Sequence, residues 1–138
     1  MRLTDGSSLD GIVWLLPDKG REAGVTSVEA LLDGTREFIA VGLERGSSVL
    51  VNRRSIRTIE MAATGPGASD VDDAFASLDV VTLRLDSGEE ISGVLRAVAR
   101  VGAERMSDVF NAAGRFIALG AGDRLILAAK DRIVRVTF

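Results

Sequence analysis

The side chains that most readily perform chemistry are largely missing from this chain. It has no histidine and no cysteine, so an imidazole base, a thiolate nucleophile, the usual zinc ligand sets and any disulfide are excluded. Ser47, Ser48 and Ser92 stand without a histidine base or a nucleophile-elbow sequence. Two carboxylate pairs are present. Glu89 and Glu90, adjacent on an expected strand, point to opposite faces, and Asp72 and Asp73 lack the spaced series of oxygens that calcium requires. Both pairs read as solvated surface. The glycine-rich pieces "GSS" and "TGPG" carry neither the lysine nor the spacing of a phosphate-binding loop. These absences predict a protein that is not an enzyme and holds no metal and no cofactor.

What remains is positive charge in two places. Arg53, Arg54 and Arg57 form the densest basic patch, and Lys130, Arg132 and Arg135 form a second. Guanidinium groups can hold phosphates through paired hydrogen bonds, which makes RNA a candidate partner. Arginines on the solvent face of an edge strand equally serve to block unwanted pairing. The net charge of −3, the absence of tyrosine and a total of six aromatic residues speak against a dedicated nucleic-acid binder. Asp33 and Asn111 end two short helical stretches, where each could contact a ligand or close a turn through a local hydrogen bond.

The elements that position these residues occur twice. Leu3 to Val13 aligns with Leu85 to Leu95, Val28 to Gly42 with Met106 to Gly120, and Val49 to Ile59 with Ile126 to Val136, in the same order. Gly6 falls over Gly88, Gly11 over Gly93, Phe38 over Phe116, and Ile56 over Ile133. The reading is a tandem duplication: a first unit over 1–61, a flexible acidic linker over 62–79, and a second unit over 80–138. The linker carries four acidic and no basic side chains and groups Gly65, Pro66 and Gly67. Its second half could form a helical turn capped by Ser69.

Within the second unit Val81, Leu83 and Leu85 alternate with polar residues, which predicts a strand with one buried face. "DSGEE" predicts a tight turn with Gly88 at positive φ, and "EISGVLRAVARV" a long strand that bulges or bends at Gly93. "SDVFNAAG" predicts one or two helical turns with Ser107 as N-cap and Gly114 as stop; Ser27 and Gly34 hold the equivalent places in the first unit. "RFIALG", "DRLILAAK" and "RIVRVTF" complete five strands. An all-β fold of small glycine-cornered barrels follows, with a two-sheet sandwich as the alternative.

This order of elements resembles the Sm-like family of small β-barrels. The similar features are Leu85, Gly88, Ile91 and Gly93 across the first turn, a central apolar strand, and a basic residue ahead of an isoleucine near the last strand (Arg53, Arg54 and Ile56; Lys130 and Ile133). The resemblance implies two tandem five-stranded Sm-like barrels. It places the basic residues around the last turn, where family members contact RNA. It also implies pairing of the fourth strand of one barrel with the fifth of the next. The linker of ~18 residues, spanning roughly 20–25 Å, would allow one such junction inside the chain. The outer edges would then favour a homo-oligomer, with three tandem chains closing a six-unit ring, or a compact dimer, or edges shielded by arginine. The functional expectation is a non-catalytic binding or assembly module in the cytoplasm, acting on itself or on a protein partner, without a membrane; the alternative is an RNA binder.

Overall fold

A computed structural model describes residues 1–13, 28–34, 37–63, 80–96 and 106–138. Most of the expected linker (64–79), the proposed caps Ser27 and Ser69, and the end of the long strand beyond Arg96 fall outside these residues. The described chain is mostly β. In the first half β1 (Arg2–Leu3), β2 (Ile12–Val13), α1 (Val28–Asp33), β3 (Phe38–Gly42), β4 (Ser48–Asn52) and β5 (Ile56–Ala62) follow one another. In the second half come β6 (Val80–Leu85), β7 (Glu90–Leu95), α2 (Met106–Asn111), β8 (Phe116–Ala121), β9 (Arg124–Ala129) and β10 (Ile133–Thr137). A 3-10 turn joins the last two strands of each half, at Arg53–Ser55 and at Lys130–Arg132.

Seven strands form one antiparallel sheet in the order β1-β5-β9-β8-β7-β6-β10, and β2-β3-β4 form another. Among the described residues neither closes into a barrel, which corrects the sequence expectation. In the second half β10 pairs with β6 but not with β9, because β5 occupies the edge of β9. In the first half the chain between Leu3 and Ile12 makes only the single bridge Arg2 to Ser8, so β1 and β2 belong to different sheets.

The alternation predicted for β6 holds: Val81, Leu83 and Leu85 are buried while Thr82 and Arg84 are not. The following turn depends on Gly88, whose φ is 85°. Its N–H donates to the Leu85 carbonyl at 2.9 Å, and the Leu85 N–H donates to the Glu89 carbonyl at 2.9 Å. Gly6 repeats this arrangement with φ of 89°, the Gly6 N–H on the Leu3 carbonyl and the Leu3 N–H on the Ser7 carbonyl. A side chain is disfavoured at such φ by ~1–2 kcal/mol, so Gly88→Ala is expected to lower the unfolding free energy by that amount in urea titration. Asp5 accepts from the Ser7 hydroxyl at 2.6 Å and the Ser7 N–H at 2.8 Å, which holds its carboxyl below the ordinary carboxylate value. Its support of the turn is therefore present above that ordinary value and is lost as pH falls through the lowered one.

Other details recur at the aligned positions. The Thr4 N–H donates to the Ser55 carbonyl and the Asp86 N–H to the Arg132 carbonyl; the Arg53 N–H donates to Glu37 and the Lys130 N–H to Arg115. The pairing of β1 with β5 steps from Thr58 to Ile56, and that of β10 with β6 from Arg135 to Ile133, leaving Arg57 and Val134 as the bulged residues. Gly93, by contrast, lies in an unbroken register with Val81, so it marks no bulge in that pairing. Its requirement is close approach: a Cβ there would sit 2.7 Å from the Gly120 carbonyl oxygen. Ser107 is also corrected. It lies inside α2 rather than capping it, exposed, with its hydroxyl 3.4 Å from Asp108 Oδ1. Gly114 follows the helix with φ of 103°. Ala62, assigned by sequence to the linker, belongs to β5.

Two apolar clusters share the β8–β9 hairpin. Ile117, Leu119 and Ala128 face Val81, Leu83, Leu85, Ile91 and Leu95 of the second half. Phe116, Ala118, Leu125, Leu127 and Ala129 face Val28, Leu32, Ile39, Val41, Val51, Ile56 and Ile59 of the first. The hairpin is thus covered on both sides, which explains why "FIALGA" and "RLILAA" are apolar almost throughout instead of alternating.

Candidate functional site

The surface where the halves meet gathers most of the residues singled out by sequence. Its backbone is β5 against β9, with Thr58 opposite Ala128, Ile59 opposite Leu127, Glu60 opposite Ile126, Met61 opposite Leu125 and Ala62 opposite Arg124. This is the fifth strand of the first half on the fourth strand of the second. The Ala63 N–H extends it by donating to the Asp123 carbonyl at 2.8 Å. Helix α1 lies against β8, and Val28 and Leu32 enter the shared core there.

Among the described residues three ion pairs cross the junction. Arg57 Nε lies 3.1 Å from Asp86 Oδ1, and the same guanidinium reaches the Leu3 and Thr4 carbonyls at 3.3 and 3.4 Å. Arg2 pairs with Glu89, and Arg124 with Glu60. Arg115 Nη2 adds a hydrogen bond to the Arg54 carbonyl at 2.9 Å. The bulge at Arg57 aims its side chain at Asp86, which also meets Arg132 Nη1 at 3.4 Å from its other oxygen.

The six basic candidates are therefore employed unequally. Arg53 donates to the Leu32 carbonyl at 2.9 Å, and Lys130 to the Ala112 carbonyl at 2.9 Å. Arg57 and Arg132 converge on Asp86. Arg135 lies near Glu90, at 3.6 Å, and is exposed. Arg54 is exposed in its turn; its N–H donates to the Asn52 side chain. Arg57→Ala removes a half-buried charged donor and is expected to cost ~1–3 kcal/mol. Arg54→Ala is expected to stay within ~0.5 kcal/mol. Chemical denaturation of the two variants measures the difference.

Asn111 is exposed at the end of α2, and Asp33 ends α1, its side chain lying outside the described residues. The pair does not come together with the junction arginines in any described contact. Glu90 is exposed, as its sequence reading had it, with Arg84 and Arg135 at 3.5 and 3.6 Å, while Glu89 is partly buried and pairs with Arg2. Among the described residues no group of three or more carboxylates is placed to hold a metal ion, and no helix is long and apolar enough to cross a membrane.

Sequence reasoning missed Asp86, Arg2, Arg124 and Glu60. Their partners lie 29 to 87 positions away, and no local pattern announces such pairs. It also missed the apolar face of the first hairpin, for which a signal was available: Val49, Leu50 and Val51 run consecutively, as in a strand buried on both sides. No protein-family model, curated protein or solved structure matches the chain.

Proposed function

We propose that the chain is a non-catalytic assembly module, built from two tandem copies of a small Sm-like unit that join by strand addition. The observation that carries this reading is the β5·β9 junction, where an edge strand of one half completes the sheet of the other and the two halves share a core. The recurrence of turn, bulge and close glycine approach at aligned positions supports the duplication. Among the described residues the corresponding strands, β4 and β10, end their sheets and offer edges for further pairing. Homo-oligomer formation through these edges is the activity proposed.

Employment of Arg53, Arg57, Lys130 and Arg132 in contacts within the fold weighs against RNA as the principal partner. Fluorescence anisotropy with a labelled single-stranded RNA, at salt between ~50 and ~200 mM, tests this directly. The assembly reading expects no saturable binding. Tight binding that falls steeply with salt would transfer the function to RNA.

A further inference from the structure

The aligned positions of the two halves part at the cleft between β2 and β5. In the second half β6 runs between β7 and β10: Val81 opposes Gly93, and Thr82 opposes both Ser92 and Thr137. Val81 is fully buried, and the Thr82 hydroxyl shares a 2.8 Å hydrogen bond with that of Ser92. In the first half the aligned strand β1 comprises Arg2 and Leu3, and Met1 continues its pairing. The Met1 ammonium donates to the Leu9 carbonyl at 3.0 Å, and the Leu9 N–H donates to the Met1 carbonyl at 2.9 Å. Beside Met1, the place aligned with Val81 and Thr82 is a cleft of about 480 Å³ that reaches the core at Val28, Val41 and Ile59. A more open hollow of about 460 Å³ adjoins it at Met1, Asp10, Glu60 and Met61, and is rimmed by Asp123 and Arg124.

Two strand edges border this cleft. The Leu9 N–H points to β1, so by alternation the Gly11 N–H points the same way, into the cleft. The Ala63 N–H points to β9, so that of Glu60, three residues earlier, points away from β9 and into the cleft from the other side. Among the described residues no strand pairs with either edge there. The side chains aligned with Ser92 and Thr137 are Asp10 and Glu60. Glu60 pairs with Arg124, whereas Asp10 and Asp123, both exposed, have no ion pair among the described residues. With the Met1 ammonium counted, the rim sets three carboxylates against two cations.

We infer that the cleft takes an extended peptide segment of a partner protein, added as a strand between β2 and β5, with an apolar side chain in the place of Val81 and a basic side chain next to it in the place of Thr82. The apolar side chain closes over Val28, Val41 and Ile59, as Val81 closes over the core of the second half. The basic side chain lies between Asp10 and Glu60 and faces the hollow that Asp123 borders. Main-chain hydrogen bonds to the two edges hold the segment, and the two side chains select it. The added strand links β2 to β5 and so ties the smaller sheet to the larger one through the first half. This site is distinct from the β4 and β10 edges and binds its peptide whether or not the chain assembles.

The test titrates the full chain, followed by amide NMR, with acetyl-Thr-Val-Val-Lys-amide up to millimolar concentration. The Gly11 and Glu60 amides are expected to shift saturably and to slow in hydrogen exchange. A peptide with Asp in place of its second Val is expected to bind on the order of 10-fold more weakly, because that side chain meets the core. One with Glu in place of Lys is expected to bind roughly 5-fold more weakly at ~0.05 M salt, a difference that vanishes near ~1 M. Asp10→Asn combined with Asp123→Asn changes two exposed side chains, keeps the fold by circular dichroism, and is expected to narrow the preference for Lys over Glu while leaving that for Val over Asp. Equal binding of all three peptides, or shifts confined to other strands, overturns the site. Failure to take up any peptide overturns it too, and Gly11 and Glu60 amides already protected in the free chain then assign the cleft to a segment of the same chain.

Discussion

Leu127→Ala is expected to destabilise the protein by ~2–5 kcal/mol, while Leu50→Ala at the aligned position of the other half changes the stability of the isolated chain by no more than ~0.5 kcal/mol. Both residues are leucines in the fourth strand of their halves. Leu127 has no exposed surface and packs with Phe116, Ala118 and Leu125 against Val41, Val51 and Ile59. Truncating it opens a cavity between the two halves, a loss made of transferred area plus unfilled volume. Leu50 faces away from its own core, so truncation removes little buried area. Urea denaturation at low protein concentration measures both. Equal effects would mean that the two halves do not share a core at β9.

Gly93→Val is expected to cost about 3 kcal/mol or more, and Gly11→Ala to be similarly damaging. A Cβ at Gly93 would lie 2.7 Å from the Gly120 carbonyl oxygen and 3.2 Å from Leu119 Cβ. At Gly11 it would collide with the Gly42 carbonyl oxygen and lie 2.8 Å from Val41 Cγ1. In both cases the obstacle is backbone belonging to a paired or adjacent strand, which cannot turn aside as a flexible side chain can. Relief requires the second and third strands to part, at Val94 with Gly120 in one half and Ile12 with Gly42 in the other. Gly6 and Gly46 offer the control. Space around them is open, so substitution there meets the cost of positive φ alone. Thermal unfolding of the glycine variants separates these causes. Gly93→Val as mild as Gly6→Ala would remove close approach as the reason for glycine.

Much of the fold was legible because it rests on short-range rules. Val81, Leu83 and Leu85 alternate and are buried; Gly88 follows a strand and takes positive φ; the three aligned blocks supply the same strands in the same order. The failures share a different cause. Whether a sheet closes depends on which edge is taken, and β9 is taken by β5, a choice made across the chain. Ser107 has the side chain of a cap, yet it lies within α2, after Met106. The ion pairs of Arg57 with Asp86 and Arg124 with Glu60 arise only once the halves dock. The basic patches were visible as composition. Their use was not, because a guanidinium that donates to Leu32 or Asp86 is spelled the same way as one that waits for phosphate. Val49-Leu50-Val51 and Leu125-Ile126-Leu127 likewise read alike, though one is covered on both faces and the other on one.

The claim that these two halves form an assembly module is tested most directly by the solution mass of the full-length chain. Light scattering across a tenfold concentration range, at ~0.1 and ~1 M salt, is expected to give a multiple of the single-chain mass that grows or holds with concentration and persists at the higher salt. A constant mass of one chain under all these conditions would contradict the account.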